Sequence, residues 1–259
     1  MSHLRALTRL PAMLLSTGVL FGLWLLSRPL GLINRAWSRH AHVVLIRAWA
    51  RSLTSILNVD ITVRGMSPPP PFFLVSNHLS YLDIITFLSV VDGFFVAKSE
   101  LASWPILGFL ARATGTLFID RSKKSDLRRV TPLIEDVLRS GSNVLVFPEG
   151  TSTRGAEILP FKPSMFEAAI RANVPVAAAS VTYATSKASP PAYLAICWWG
   201  KMTFVGHSYK LLGLKAIRAS VSFSGTPILA SDRKILSRLA QQEVESLFTP
   251  VAQPAEPRP

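Results

Sequence analysis

Two long, mainly apolar stretches open the chain, and shorter ones of a different texture follow. Residues 10–26 carry no charge and are bracketed by Arg5 and Arg9 before them and Arg28 after them. A helix needs about 17–25 residues to cross a hydrocarbon core, so this run is marginal for spanning. Ser27-Arg28-Pro29 makes a poor cleavage site, and basic residues lie on both sides. The run is therefore expected to be an uncleaved membrane helix and not a signal peptide. Residues 34–57 predict a second helix, with Asn34 as its N-cap. On a helical wheel Trp37, Ala41, Val44, Leu45, Ala48 and Trp49 share one side and Arg35, Arg39, Arg47 and Arg51 the other, with Val43 and Ile46 breaking the pattern. A basic amphipathic helix with tryptophans suits a bilayer interface. The plainer alternative is a helix packed on the domain with a solvated basic face. Residues 1–57 are expected to form a membrane-associated helical hairpin.

From residue 58 short β-rich runs alternate with helical stretches. Strands are predicted at Val59–Gly65, Phe72–Asn77, Phe94–Ala97, Thr116–Ile119, Asn143–Phe147, Val176–Thr182, Ala192–Trp198 and Arg218–Ser224. Helices are predicted at 82–90, 103–113, 124–139, 163–173 and 232–248. This alternation implies an α/β domain over 58–249, with a mostly parallel central sheet flanked by helices. Pro68 to Pro71 reads as a surface loop. The Pro-rich tail, 250–259, is expected to be disordered. No internal repeat is present.

Composition sharpens the picture. Of 259 residues 49% are apolar and 17% charged, which excludes disorder for most of the chain and favours contact with a membrane. The net charge is +13, and residues 1–71 hold eight arginines against the single acid Asp60. Such a field attracts nucleic acid, an anionic membrane or an acidic protein. These arginines flank long apolar runs, which points to the membrane and away from nucleic acid. Cys197 stands alone, so no internal disulfide forms, and it reads as a small buried apolar residue.

Three segments carry candidate chemistry. Ser76-Asn77-His78-Leu79-Ser80-Tyr81-Leu82-Asp83 joins a strand to a helix, which places His78 at a strand's C-terminal end, where open parallel sheets carry their sites. Ser80 and Asp83 have the spacing of a capping box, so the helix is expected to begin near Tyr81. An imidazole there can take a proton from an attacking alcohol. Asp83, turned back one helical turn, can hold the other ring nitrogen, fix the tautomer and stabilise the imidazolium. A cap with no catalytic role is the alternative for Asp83. In the second segment, Gly115 to Arg121, the arginine past a strand end can fork onto a phosphate, unless it is only part of a basic turn. The third runs from Val144 through Phe147-Pro148-Glu149-Gly150-Thr151-Ser152 to Arg154 and Lys162. Gly150 lets backbone approach a ligand, and Glu149, Thr151, Arg154 and Lys162 can bind phosphate and hydroxyl oxygens. The Gly150–Gly155 spacing imitates a P-loop, but Ala156-Glu157 stands where Lys-Ser/Thr is required. No nucleophile elbow, zinc helix or metal-ligand pair is found, and no metal or other cofactor is implied.

In this order the segments resemble the PlsC-like family of glycerolipid acyltransferases, with its N-H-x-x-x-x-D, G-x-x-F-I-x-R and F-P-E-G-T blocks and a downstream apolar block with proline, here Val174-Pro175-Val176. The resemblance covers roughly residues 60–225. It implies His78 and Asp83 as catalytic pair. It further implies that Arg121 and the Glu149–Thr151 loop hold the acceptor's phosphate and glycerol part. Asn77, Ser80, Gly150, Arg154 and Lys162 are the remaining candidate substrate contacts. The expected reaction moves a fatty acyl group from acyl-CoA or acyl carrier protein to the free hydroxyl of a lysophospholipid. The acceptor expected is lysophosphatidic acid, giving phosphatidic acid, at the cytoplasmic face of a bacterial inner membrane. Trp198-Trp199-Gly200-Lys201 to His207 is similar to a stretch shared by lysophosphatidate and lyso-ornithine-lipid acyltransferases, so a lyso-ornithine lipid or another lysolipid remains open as acceptor. A non-catalytic lipid-binding or scaffold protein is the alternative from a different class.

Overall fold

The computed structural model describes residues 2–104, 107–120 and 123–253. Helix α1 (Ser2–Ser27), the short α2 (Leu30–Ile33) and α3 (Arg35–Ile56) lead into strands β1 (Val59–Arg64) and β2 (Phe73–Ser76). Next come α4 (Leu82–Val90), β3 (Phe94–Lys98), α5 (Leu107–Ala113), β4 (Leu117–Ile119), α6 (Lys124–Arg139), β5 (Val144–Val146) and α7 (Glu167–Ala172). The chain ends with β6 (Val176–Thr185), α8 (Ala192–Ala195), α9 (Phe204–Leu212), β7 (Ile217–Phe223) and α10 (Arg233–Leu247).

The strands form one sheet in the order β1-β7-β6-β2-β5-β3-β4, parallel throughout except for the antiparallel pair β6–β7. Strands β2 and β5 are buried at every residue because both faces are covered, which is why they read as unbroken apolar runs. One face packs on α3, α4 and the end of α9 through residues such as Leu53, Leu82, Phe87 and Leu211. The other packs on α6, α7 and α10, where Leu236, Ala240 and Val244 repeat every four residues. Asp232 caps α10, accepting from the N–H groups of Lys234 and Ile235 at 2.8 and 2.9 Å.

Helices α1 and α3 form an antiparallel pair. Trp24 Nε1 donates to His42 Nδ1 and Trp49 Nε1 to Thr17 Oγ1, both at 3.0 Å, while the Ser16 and Ser52 hydroxyls meet at 2.5 Å. The side of α3 that packs inward carries Ile46, Trp49, Ala50 and Leu53, continued by Leu57 just past its end, whereas Trp37 and Val44 are exposed, so the wheel expected from sequence is rotated. Among its described side chains three arginines reach the domain: Arg47 pairs with Asp92 at 2.7 Å, Arg51 Nε donates to Ser89 O at 3.1 Å, and Arg39 donates to Ser140 O at 3.4 Å. Helix α1 extends beyond the uncharged run to include Arg5 and Arg9. Their guanidinium groups reach the C-terminal end of α9, Arg5 donating to Gly213 O at 2.9 Å and Arg9 to Leu212 O and Leu214 O at 2.9 and 2.5 Å. They satisfy carbonyls that a helix end leaves open.

Residues 192–198, expected as a strand, form the single turn of α8 and irregular chain after it. Strand β6 is flanked by β2 and β7, so no sheet edge is open to them there, and Pro190-Pro191 favours a helix start. Helix α9 follows in a segment to which the sequence assigned no element. The start of the tail is ordered: the N–H groups of Val251 and Ala252 both donate to Gly155 O, at 2.7 and 3.2 Å. Residues 254–259 lie outside the described residues.

Candidate active site

His78 follows the C-terminal end of β2, and Asp83 sits in the first turn of α4. Helix α4 begins at Leu82, with Tyr81 as N-cap and no side-chain cap. The expected capping box is thus only half formed, because the Ser80 hydroxyl has no partner among the described residues. Asp83 does reach back. Its Oδ2 accepts from Leu79 N at 2.7 Å, Ser80 N at 3.0 Å and His78 Nδ1 at 2.7 Å. Its Oδ1 accepts from the Tyr183 hydroxyl at 2.8 Å. Asp83 is fully buried, while the His78 side chain keeps 20% of its surface exposed. The imidazole lies flat on Phe147, with ring centroids 4.2 Å apart, and its remaining nitrogen, Nε2, is the atom available to a substrate.

The neighbouring polar residues build this turn. The Asn77 side chain pairs with the backbone of Val181, donating to its oxygen at 2.9 Å and accepting from its N–H at 2.8 Å. It thereby continues the β2–β6 ladder past Ser76↔Ala179. Glu149 accepts from His78 N at 2.6 Å and from Leu159 N at 2.9 Å, one carboxylate oxygen for each. It is almost wholly buried, and burial raises its pKa to about 8 in spite of those two donors.

A cleft of about 370 Å³ opens at the C-terminal ends of β2, β3 and β5. Of the residues expected from sequence, His78, Gly150 and Thr151 line it. Gly150 has φ +79°, a conformation in which glycine is favoured, and this turns the chain after Pro148-Glu149 along the cleft floor. Asn77, Ser80 and Glu149 are buried, and their polar groups either serve the backbone or face the interior. Arg154 donates to Gln253 O at 3.4 Å and Lys162 is exposed, and neither lines the cleft. Arg121 lies outside the described residues.

The cleft wall also carries two charged groups that the sequence did not single out. Lys98 and Glu100, at and just beyond the end of β3, put one positive and one negative side chain on its wall. Lys98 was findable by the strand-end rule that selected His78, but no motif surrounds it. Trp198 and Phe204 pack edge-on against Tyr81, and Trp104 packs edge-on against both of them; the Tyr81 hydroxyl meets His207 Nδ1 at 3.0 Å. Burial lowers the His207 pKa and raises that of Tyr81, which favours the neutral form of both. A His–Asp pair aimed into a largely apolar cleft is equipped to take a proton from an alcohol.

Residues 60–182 match the sequence profile of a family described as Acyltransferase. The chain is 34% identical to the lyso-ornithine lipid O-acyltransferase of Rhodobacter capsulatus, over 86% of this chain and 80% of that one. It is 32% identical to the 1-acyl-sn-glycerol-3-phosphate acyltransferase of Neisseria meningitidis, over 58% of this chain and 62% of that one. The crystal structure of the 1-acyl-sn-glycerophosphate (LPA) acyltransferase PlsC from Thermotoga maritima superposes with a TM-score of 0.67 at 23% identity, over 95% of this chain and 98% of that one.

Proposed function

From the premise that this chain belongs to the PlsC-like acyltransferase family, we propose that it moves a fatty acyl group from an acyl thioester to the free hydroxyl of a lysolipid. The observation that carries the reading is His78, with Nδ1 committed to Asp83 and the ring opening onto the cleft. Nε2 takes the proton of the acceptor's hydroxyl as its oxygen attacks the thioester carbonyl carbon. The tetrahedral intermediate then collapses, the carbon–sulfur bond breaks, and the thiolate leaves and recovers a proton from the imidazolium. Asp83 holds the ring and offsets its charge between the two transfers. Both substrates are large and the acceptor is lipid-embedded, so holding them together contributes as much as base strength. The donor is acyl-CoA or acyl carrier protein, and no metal or other cofactor takes part.

Lysophosphatidic acid is one acceptor, supported by the arrangement of blocks and by Lys98 on the cleft wall. A lyso-ornithine lipid is the second. Its support is the relative matched over most of both chains, and a wall that carries an acid, Glu100, as well as a base. Purified protein is to be supplied with each lysolipid and each thioester and the product identified by mass. Transfer to one acceptor and not the other assigns it; transfer to neither overturns the reading. Arg121→Ala is expected to raise KM for lysophosphatidate at least tenfold and to leave KM for the thioester within about twofold. An effect confined to the thioester would remove Arg121 from the acceptor site.

A further inference from the structure

Tyr183 stands one layer behind the pair that faces the cleft. Strand β6 runs well past the end of β2, from Ser180 to Thr185, paired there with β7. Along it Ala177, Ala179, Val181 and Tyr183 all turn to the face that packs on α4. Three of the four are small or medium apolar residues. The fourth brings a hydroxyl to the place where Asp83 and Thr86, one turn apart on α4, come closest to the sheet. Its oxygen lies 2.8 Å from Asp83 Oδ1 and 3.1 Å from Thr86 Oγ1.

We propose that Tyr183 is a positioning residue for the reaction, holding the Asp83 carboxylate so that Oδ2 is presented to His78 Nδ1 and limiting the proton affinity of the pair. The proposal rests on the reading of His78 and Asp83 as the catalytic pair. The two oxygens of Asp83 are unequally served. Oδ2 has three donors, His78 Nδ1 and the N–H groups of Leu79 and Ser80, whereas Tyr183 is the donor to Oδ1 among the described residues. A carboxylate is free to rotate about its bond to Cβ, and with no donor on Oδ1 nothing on that side opposes rotation. The Tyr183 hydroxyl also draws charge from the carboxylate. Without it more charge remains on Oδ2 and the imidazolium is held more tightly. Among the described residues the other titratable groups facing Asp83 are Glu149 from the loop after β5 and Cys197 from the chain after α8. Neither makes a hydrogen bond to it, and Tyr183→Phe leaves both in place.

The test is the pH dependence of kcat/KM for Tyr183→Phe, with His78→Ala and the double variant alongside. Tyr183→Phe is expected to lose about tenfold in kcat at pH 7, to keep both KM values within about twofold, and to shift the acid limb of the profile upward by half a unit or more. His78→Ala is expected to fall below about a hundredth of normal activity while staying folded, since general-base catalysis contributes typically 10²–10⁴-fold. Adding Tyr183→Phe to it should cost nothing further, because residues that act through one group are not additive. Thr86→Val removes the hydroxyl that steadies Tyr183 without touching Asp83. It is expected to shift the limb in the same direction by less, and it carries the test if Tyr183→Phe does not fold. An unmoved limb in these variants, or a further loss in the double variant equal to that in the single, overturns the role of Tyr183. Full activity of His78→Ala overturns instead the pair on which it rests.

Discussion

Glu149 combines a residue type that invites ligand binding with near-complete burial. A glutamate beside a glycine in a strand-end loop reads as a ligand for hydroxyl or phosphate oxygens. Here each of its oxygens receives a backbone N–H, from His78 and Leu159, and it ties the His78–Asp83 turn to the loop after β5. Glutamine is no substitute, because its amide NH₂ can only face one of those N–H groups donor to donor. Glu149→Gln is expected to cost about 1–3 kcal/mol of stability, the penalty of an unsatisfied buried donor, read by thermal unfolding in detergent. The folded pKa of about 8 lies above the ordinary 4.5, so the folded chain binds the extra proton between those values. Stability from this group is therefore fully present at pH below about 4.5 and declines as the pH rises through about 8. Melting temperatures at pH 5, 6.5 and 8 should fall along that series in the native protein and change less in Glu149→Gln. An equal slope in both would assign the pH dependence elsewhere.

Among the elements, α1 has two unlike sides. Its inner side buries Ala6, packs Met13 against the core, meets α3 through Ser16, Thr17 and Trp24, and touches Phe109 of α5 through Phe21. Its outer side exposes Leu4, Leu7, Leu14, Leu15, Val19 and Leu26. A helix seated along the domain is expected to lie in one leaflet and not to cross the bilayer. Apolar burial at about 25 cal/mol per Å² is insensitive to salt, whereas attraction of each nearby Lys or Arg to anionic headgroups is screened. High salt is therefore expected to leave the protein in the membrane fraction and detergent to release it. Replacing Leu7, Leu15 and Leu26 together by serine should make attachment salt-sensitive without lowering the melting temperature in detergent, since none of the three is buried. A native protein stripped off by salt alone would mean that α1 is not inserted.

Across the whole molecule, the site depends on chain segments that are far apart in sequence. Thr153 N donates to His78 O at 3.0 Å, Trp198 N to Leu79 O at 2.8 Å, and the Ser152 hydroxyl to Trp198 O. Gly155, with φ +76°, is packed between Leu79 and Val251. A chain ending at Thr249 loses the two hydrogen bonds to Gly155 O and the burial of Val251 and Ala252. The loss, about 1–2 kcal/mol, is expected to lower the melting temperature by a few degrees and to reduce kcat through the loosened 150–155 loop. Unchanged melting would show that the C-terminal segment does not brace the site.

The sequence by itself determined the α/β class, the strands that became β1 to β7, most of the helices and the His78–Asp83 pairing, because each rests on local pattern: short β-rich apolar runs in strands, four-residue repeats in helices, and one helical turn between an imidazole and a carboxylate. Segments 192–198 and 204–212 failed that test, since apolar spacing over so few residues fits either a strand or a short helix. Only the tertiary structure decided which polar residues face the cleft. Asn77, Glu149 and Tyr183 took their roles from partners about seventy to a hundred positions away, Val181, His78 and Asp83. Sequence spacing carries no information about such pairs, because the sheet order that joins them is set by how all seven strands bury their faces together.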